Sequence, residues 1–124
     1  VQRCLVTGAA GFVGPHVAAA LNAAGDEVWT TDRSAAASDR HLVCDLLDAA
    51  AVRDLLAATR PERIFHLAGL SSVVYSFEHP QEVLHANLIG ACNLLEAVRT
   101  GAPGARVLLV GSAEEYGRVP PERQ

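Results

Sequence analysis

The residues best placed by type and spacing to do chemistry stand near the N-terminus, in Thr7-Gly8-Ala9-Ala10-Gly11-Phe12-Val13-Gly14. Three glycines three residues apart can hold phosphate. Gly8 can turn the chain out of a strand. Gly11 has no Cβ, so a pyrophosphate can approach its backbone, and Gly14 lets a following helix pack closely on a sheet. The first-turn N–H groups of that helix would face the phosphates with the positive end of its dipole. Pro15 falls within the same turn, where its missing N–H costs little. An acid completes the pattern: Glu27-Val28-Trp29-Thr30-Thr31 reads as a second strand ending at Asp32, 18 residues past Gly14. That spacing suits a carboxylate that accepts from an adenosine ribose. The context is strand, turn and helix, with Cys4-Leu5-Val6 before the glycines and Val17, Ala18, Ala20 and Leu21 after them. These are the marks of a dinucleotide site.

Three further stretches carry polar groups after apolar runs. Asp45 and Leu46 follow His41-Leu42-Val43-Cys44. The Asp45 carboxylate could accept from an adenine amino group, or it could cap a turn before the next helix. Ala68-Gly69-Leu70-Ser71-Ser72 follows Arg63-Ile64-Phe65-His66-Leu67. Small residues would let a cofactor cross there, with Ser71 and Ser72 in bonding reach; the other reading is a plain flexible loop. Ser112-Ala113-Glu114-Glu115 follows the last apolar run. A hydroxyl beside a carboxylate suits a carbonyl substrate, with Ser112 polarising the carbonyl and Glu114 moving a proton. A helix-capping serine with solvated glutamates is the alternative. His66, inside an apolar strand, reads as a satisfied core residue. His16, His41, His79 and His85 show no metal spacing, so no metal is expected. Tyr75 reads as packing more readily than as a ligand platform. Asn87 sits mid-helix, facing solvent or reaching inward to a loop.

The elements that must position these groups alternate. Strands are expected over about 3–7, 27–31, 41–44, 63–68 and 105–110, the fourth buried on both faces. Helices are expected over about 12–24, 49–59 and 81–99, with Gly25 stopping the first and Asp48 capping the second. Residues 33–40 read as a loop or short helix, 69–77 as a loop of small residues, and 118–124 as a tail without secondary structure. Alternation of this kind predicts an α/β fold: a Rossmann-type, doubly wound parallel sheet of about five strands in the order 3-2-1-4-5. Ligands of such sheets bind beyond the C-terminal ends of the strands, where all the groups named above would gather.

Composition narrows the function classes. The chain has 124 residues, half of them apolar, with a net charge of −4. One folded domain is expected, with neither nucleic acid nor an anionic membrane as partner. No apolar run approaches the length of a membrane span, and the sequence opens directly on a strand, so no signal peptide is expected. Cys4, Cys44 and Cys92 form no CxxC pair, which suits buried thiols and a reducing cytoplasm. All ten basic residues are Arg. Any step that needs an ammonium group must find it outside these residues.

Taken together the motifs resemble the extended short-chain dehydrogenase/reductase family, the NAD-dependent epimerase/dehydratase group. The resemblance rests on residues 7–14, Asp32, Cys44-Asp45-Leu46, His66-Leu67-Ala68-Gly69, residues 87–97 and residues 111–117, and spans about 3–119. It implies that Phe12 and Val13 lie against the cofactor phosphates, and that Asp32 holds the adenosine ribose. Asp45 and Leu46 would sit by the adenine. Leu67, Ala68, Gly69 and Ser71 would line the cofactor channel, and Asn87 would support it from the long helix. Ser112 takes the family's catalytic Ser/Thr position, and Glu114 matches the acid with which 4,6-dehydratases take a proton from the sugar ring. Within the group, residues 110–119 and 76–80 look most like GDP-mannose 4,6-dehydratases and GDP-4-keto-6-deoxy-mannose reductases, the Ser-Ala-Glu-Glu form leaning toward the reductase. The implied reaction passes hydride between nicotinamide C4 and sugar C4. Asp32 favours NAD by repelling a 2′-phosphate, and Arg33 beside it could offset this, leaving NADP open. The family's long helix contributes to a two-fold dimer interface, so a homodimer through 81–99 is implied.

The departure from the family is its Tyr-x-x-x-Lys, which has no counterpart here: Tyr75 is followed four residues on by His79, and Tyr116 by Pro120. The expectation is an incomplete NAD(P)-binding domain over 1–124, lacking the sugar-binding C-terminal part and inactive alone. The alternative is a non-catalytic module that binds a dinucleotide or a partner. The two part in the coding sequence past Gln124. A Tyr-x-x-x-Lys within roughly 20–40 residues, followed by a further strand–helix unit, is the expected outcome, and a stop codon there removes the enzyme reading.

Overall fold

A computed structural model describes residues 1–34, 36, 38–112 and 116–123. Its centre is β1 (Arg3–Thr7), where Cys4, Leu5, Val6 and Thr7 are all buried. Consecutive side chains of a strand point to opposite faces, so burial of four in a row means that both faces are covered. β1 pairs in parallel with β2 (Glu27–Asp32) on one side and with β4 (Arg63–His66) on the other. β3 (His41–Val43) extends the sheet beyond β2, and β5 (Arg106–Leu109) beyond β4. The order is β3-β2-β1-β4-β5, the expected 3-2-1-4-5.

Helices make the crossovers. α1 (Gly14–Ala23) joins β1 to β2 and stops at Gly25, whose N–H donates to the Asn22 carbonyl while the Asp26 N–H reaches the Leu21 carbonyl. That paired closure ends the helix with few orphan carbonyls. α2 (Ala49–Thr59) starts at Asp48, whose Oδ1 accepts from the Ala50 and Ala51 N–H groups at 2.9 and 3.0 Å, as the sequence predicts. α2 packs with α5 (Gly90–Gly101) over Leu5 and Ile64. Val52, Leu55, Leu56, Leu94, Ala97 and Val98 fill that layer.

Several expected boundaries move. α1 begins at Gly14, so Phe12 and Val13 belong to the turn before it. Residues 69–77 are not all loop: Ser72 Oγ accepts from the Tyr75 N–H and starts a short helix, α3 (Val73–Glu78). A serine ahead of a β-branched pair gives a weak helical signal, and here the cap decides. The long helix spans α4 (Pro80–Leu84), a π-helical turn (His85–Ile89) and α5. The tail carries a 3₁₀ turn at Pro121–Arg123. β4 is covered at Ile64, whereas Phe65 is half-buried and Leu108, Leu109 and Val110 stand exposed at the β5 edge.

Cys4 and Cys44 are buried free thiols, as expected, and Cys92 is exposed. Burial pushes the Cys4 and Cys44 thiols up, with Asp26 and Asp45 adding to it. No described helix is long and apolar enough to cross a membrane.

Leu94 is fully buried where α5 meets the sheet. Leu94→Ala should lower the unfolding free energy by about 3 kcal/mol, through lost transfer energy and the cavity left behind. A urea titration that shifts by less than about 1 kcal/mol would place this layer outside the cooperative core.

Candidate functional site

The C-terminal ends of β1, β2, β3 and β4 border one cleft of about 380 Å³. Its position follows from topology. β1 and β4 are neighbours, yet the chain leaves them in opposite directions, so the loops part and open a crevice.

The glycine turn sets the floor. Gly8 has a φ of +69°, and a Cβ on it would meet the Ala68 backbone nitrogen at 2.6 Å. A Cβ on Gly14 would meet the Gly8 carbonyl oxygen at the same distance. Both contacts are backbone on backbone and cannot yield by side-chain rotation. Gly11 is exposed, and among the described residues a Cβ there would meet the Gly8 oxygen alone within 4 Å, its chain neighbours aside. The turn therefore presents bare backbone. Among the described residues no side chain caps α1, because Val13 stands at its N-cap. Its first-turn N–H groups suit an anion.

Two bonds dock this turn on β2. The Ala9 N–H donates to the Thr31 carbonyl at 3.2 Å, and the Ala10 N–H to Asp32 Oδ2 at 3.0 Å. Asp32 Oδ1 accepts from the Arg33 N–H at 2.7 Å. The Asp32 carboxylate is thus oriented by backbone at the cleft wall. Thr31 adds a buried hydroxyl, and its Oγ1 finds no partner among the described residues. Bare turn, uncapped helix, oriented acid and unpaired buried hydroxyl together fit a diphosphate joined to a ribose.

The other loops close in behind. Asp45 Oδ1 accepts from the Leu47 N–H at 3.0 Å, so the carboxylate does cap this turn, and Oδ2 makes no hydrogen bond among the described residues. Asn87, in the π turn, grips the loop after β4. Its Oδ1 accepts from the Leu70 N–H at 2.7 Å and its Nδ2 donates to the Leu70 carbonyl at 2.9 Å. A π turn inserted in a helix re-aims side chains and commonly marks functional positions. Of the two readings of Asn87, it is the inward one that holds.

Gly8, Gly11, Asp32, Arg33, Asp45, Leu46, Leu67, Ala68 and Gly69 line the cleft together. Phe12 and Val13 are exposed on the turn beside it, Gly14 is buried beneath the turn, and Asn87 acts through Leu70. Ser71 is exposed outside the lining, and the Ser72 hydroxyl is spent on α3. Ser112 lies exposed past the end of β5 at the same sheet edge, and Glu114 falls outside the described residues. Sequence reasoning missed Thr7, Thr31, Glu82, His85 and Ala86 as lining. Glu82 accepts from the Tyr75 hydroxyl at 2.8 Å, a bond that holds the phenol proton above its ordinary range. Tyr75 also lies on His79, with centroids 4.4 Å apart, so it packs within the protein. For Glu82 and His85 the only available signal was helical spacing from Asn87.

Residues 4–124 match the model of the NAD dependent epimerase/dehydratase family. UDP-glucuronate 4-epimerase 3 of Arabidopsis thaliana is 35% identical over 129 residues, 91% of this chain and 30% of that protein. GDP-6-deoxy-D-mannose reductase of Pseudomonas aeruginosa is 36% identical over 118 residues, 95% and 36% of the two chains. A solved UDP-glucose 4-epimerase from Brucella ovis in complex with NAD superposes with a TM-score of 0.85 at 27% identity, over 95% of this chain and 38% of that one. The chain therefore spans about a third of the length of these relatives.

One buried pair at this edge should make stability depend on pH. Thr7 Oγ1 lies 2.8 Å from His66 Nδ1 and accepts from the Ala68 N–H at 3.3 Å. The arrangement satisfying both side chains has the hydroxyl donating to a neutral ring. Burial holds the His66 pKa below its ordinary value. A depressed folded-state pKa gives stability that is complete above about pH 6.5 and lost as pH falls from there toward the folded value. Urea midpoints at pH 7.5 and 5.5 should fall more in the parent chain than in His66→Gln. Equal falls would remove His66 as the cause.

Proposed function

The chain belongs to the NAD dependent epimerase/dehydratase family, and on that premise we propose that its cleft binds NAD as the cofactor module of a nucleotide-sugar epimerase, dehydratase or reductase. The observation that carries this reading is the meeting of the glycine turn and Asp32 at one wall, tied by the Ala10 N–H to Asp32 Oδ2 bond. Bound NAD would supply a hydride acceptor and donor. The chain's own residues would do the rest. The α1 N-terminus faces the pyrophosphate, and Asp32 accepts from the adenosine ribose. Asp45 and Leu46 flank the adenine. Leu67, Ala68 and Gly69 give the cofactor passage along the sheet edge, held in place by Asn87. Ser112 polarises the sugar carbonyl and Glu114 moves a proton. The Tyr-x-x-x-Lys pair is absent from these 124 residues.

The substrate we favour is a GDP-sugar, with reduction of a 4-keto-6-deoxy-mannose or 4,6-dehydration of mannose as the reaction. The Ser112-to-Gly117 stretch and the similarity to the Pseudomonas reductase support it. A UDP-sugar 4-epimerase is the second reading, favoured by the similarity to the Arabidopsis epimerase. Exposed Leu84, Leu88 and Leu95 on the long helix support a homodimer through that face.

Calorimetric titration should show NADH binding about tenfold more tightly than NADPH, because a 2′-phosphate would stand against the Asp32 carboxylate. Asp32→Ser should weaken NADH by about tenfold and remove the preference, a loss typical of a charged hydrogen bond. Tighter binding of NADPH by the parent chain would overturn the NAD preference. Binding of neither would overturn the cofactor reading.

A further inference from the structure

The turn after β3 is held in place by the long helix. Asn93 Nδ2 donates to the Leu46 carbonyl at 2.9 Å, a bond between residues 47 apart in sequence. Nearly one turn earlier on the same helix Gly90 is buried, and a Cβ there would lie 3.4 Å from the Leu46 Cβ. Leu46 is thus held by an amide on its carbonyl, with Gly90 in ordinary contact range of its side chain.

The other bonds of this turn are of a different kind. Asp45 Oδ1 accepts from the Leu47 N–H, and the Asp45 carbonyl accepts from the Asp48 N–H at 3.0 Å. They fix the turn's internal shape. The Cys44 N–H ties its start to the Asp32 carbonyl at 2.9 Å. The Asn93 bond sets where the far side stands relative to the sheet. Asp45, Leu46 and Leu47 line the cleft, whereas Asn93 and Gly90 are outside its lining. Asn93 therefore acts on a ligand only through the turn.

We propose that Asn93 is a positioning residue for base recognition: it holds Asp45 and Leu46 at the adenine ring of the bound dinucleotide and so sets the preference for a base carrying a 6-amino group. The proposal rests on the reading of the cleft as an NAD site. The role needs a side-chain donor of this length. Aspartate would set a carboxylate against the Leu46 carbonyl, and leucine would leave that carbonyl without its donor. A supporting residue of this type keeps a recognition group within the fraction of an ångström that a directional hydrogen bond tolerates.

The test uses the full 124-residue chain and two probes, NADH and reduced nicotinamide hypoxanthine dinucleotide, in which an oxo group replaces the 6-amino group. The parent chain should bind NADH about tenfold more tightly than the analogue, the loss expected for one hydrogen bond to a carboxylate. Asn93→Leu should weaken NADH by about fivefold to tenfold, weaken the analogue distinctly less and bring the ratio toward one. A general loss of stability would weaken both probes alike and keep the ratio. Asn93→Ser, too short to reach Leu46, should give the same ratio and serves if the leucine variant fails to fold. Retention of the parent ratio in a folded variant would overturn the role of Asn93 and leave the cofactor reading standing. A parent chain that binds both probes equally would also overturn it. A parent chain that binds neither would overturn the cofactor reading itself.

Discussion

The backbone of Gly8 lies against the backbone of Leu67 and Ala68 with no room for a Cβ, and the cleft depends on that approach. It brings the exits of β1 and β4 together at the point where the sheet order reverses. Thr7 and His66, one residue before each exit region, lock the same junction from below with a buried hydroxyl–imidazole pair. A side chain at position 8 would force the strands apart or the turn out of its left-handed conformation. Either change would move the bare backbone of the turn away from the first-turn N–H groups of α1. The packing of α1 through Gly14 follows from the same turn, because Gly14 meets the Gly8 carbonyl and the Ala9 backbone.

The long helix supplies the second frame. It covers the core through Leu94, Ala97 and Val98, and its asparagines reach two separate loops. Asn87 grips Leu70 through both backbone groups, and Asn93 holds Leu46. The π turn lies between α4 and α5 and carries Asn87. One rigid element thus relates the loop after β3 to the loop after β4. The π turn is irregular, and the side chain it aims, Asn87, is fixed by two hydrogen bonds, one accepted and one donated.

Electrostatics and polar satisfaction agree with this frame. Asp32 is oriented by two backbone N–H groups, yet a carboxylate has four lone-pair sites, so capacity remains for a ligand. Thr31 carries a buried hydroxyl that no described residue satisfies, at the wall where Asp32 stands. Unsatisfied buried polar groups in folded chains are few, and those at a cleft wall are consistent with a bound partner. Asp45 lines the cleft while its Oδ1 caps its own turn, so the capping bond does not take it away from the cleft wall.

Much of this was legible along the chain. The strand–helix alternation determined the fold class and strand order, and the glycine triplet with Asp32 marked one wall of the cleft, because both depend on local periodicity and short spacings. The Asp48 cap and the Gly25 stop were readable for the same reason. Tertiary structure alone decided the rest. Thr31, Glu82, His85 and Ala86 reach the cleft only because crossovers bring elements distant in sequence to one edge. The grip of Asn93 on Leu46 spans 47 residues, and nothing near either residue encodes the other. Local sequence states which face of an element is apolar; which polar side chain meets which loop depends on how those faces pack, and that is settled only when the helices close over the sheet.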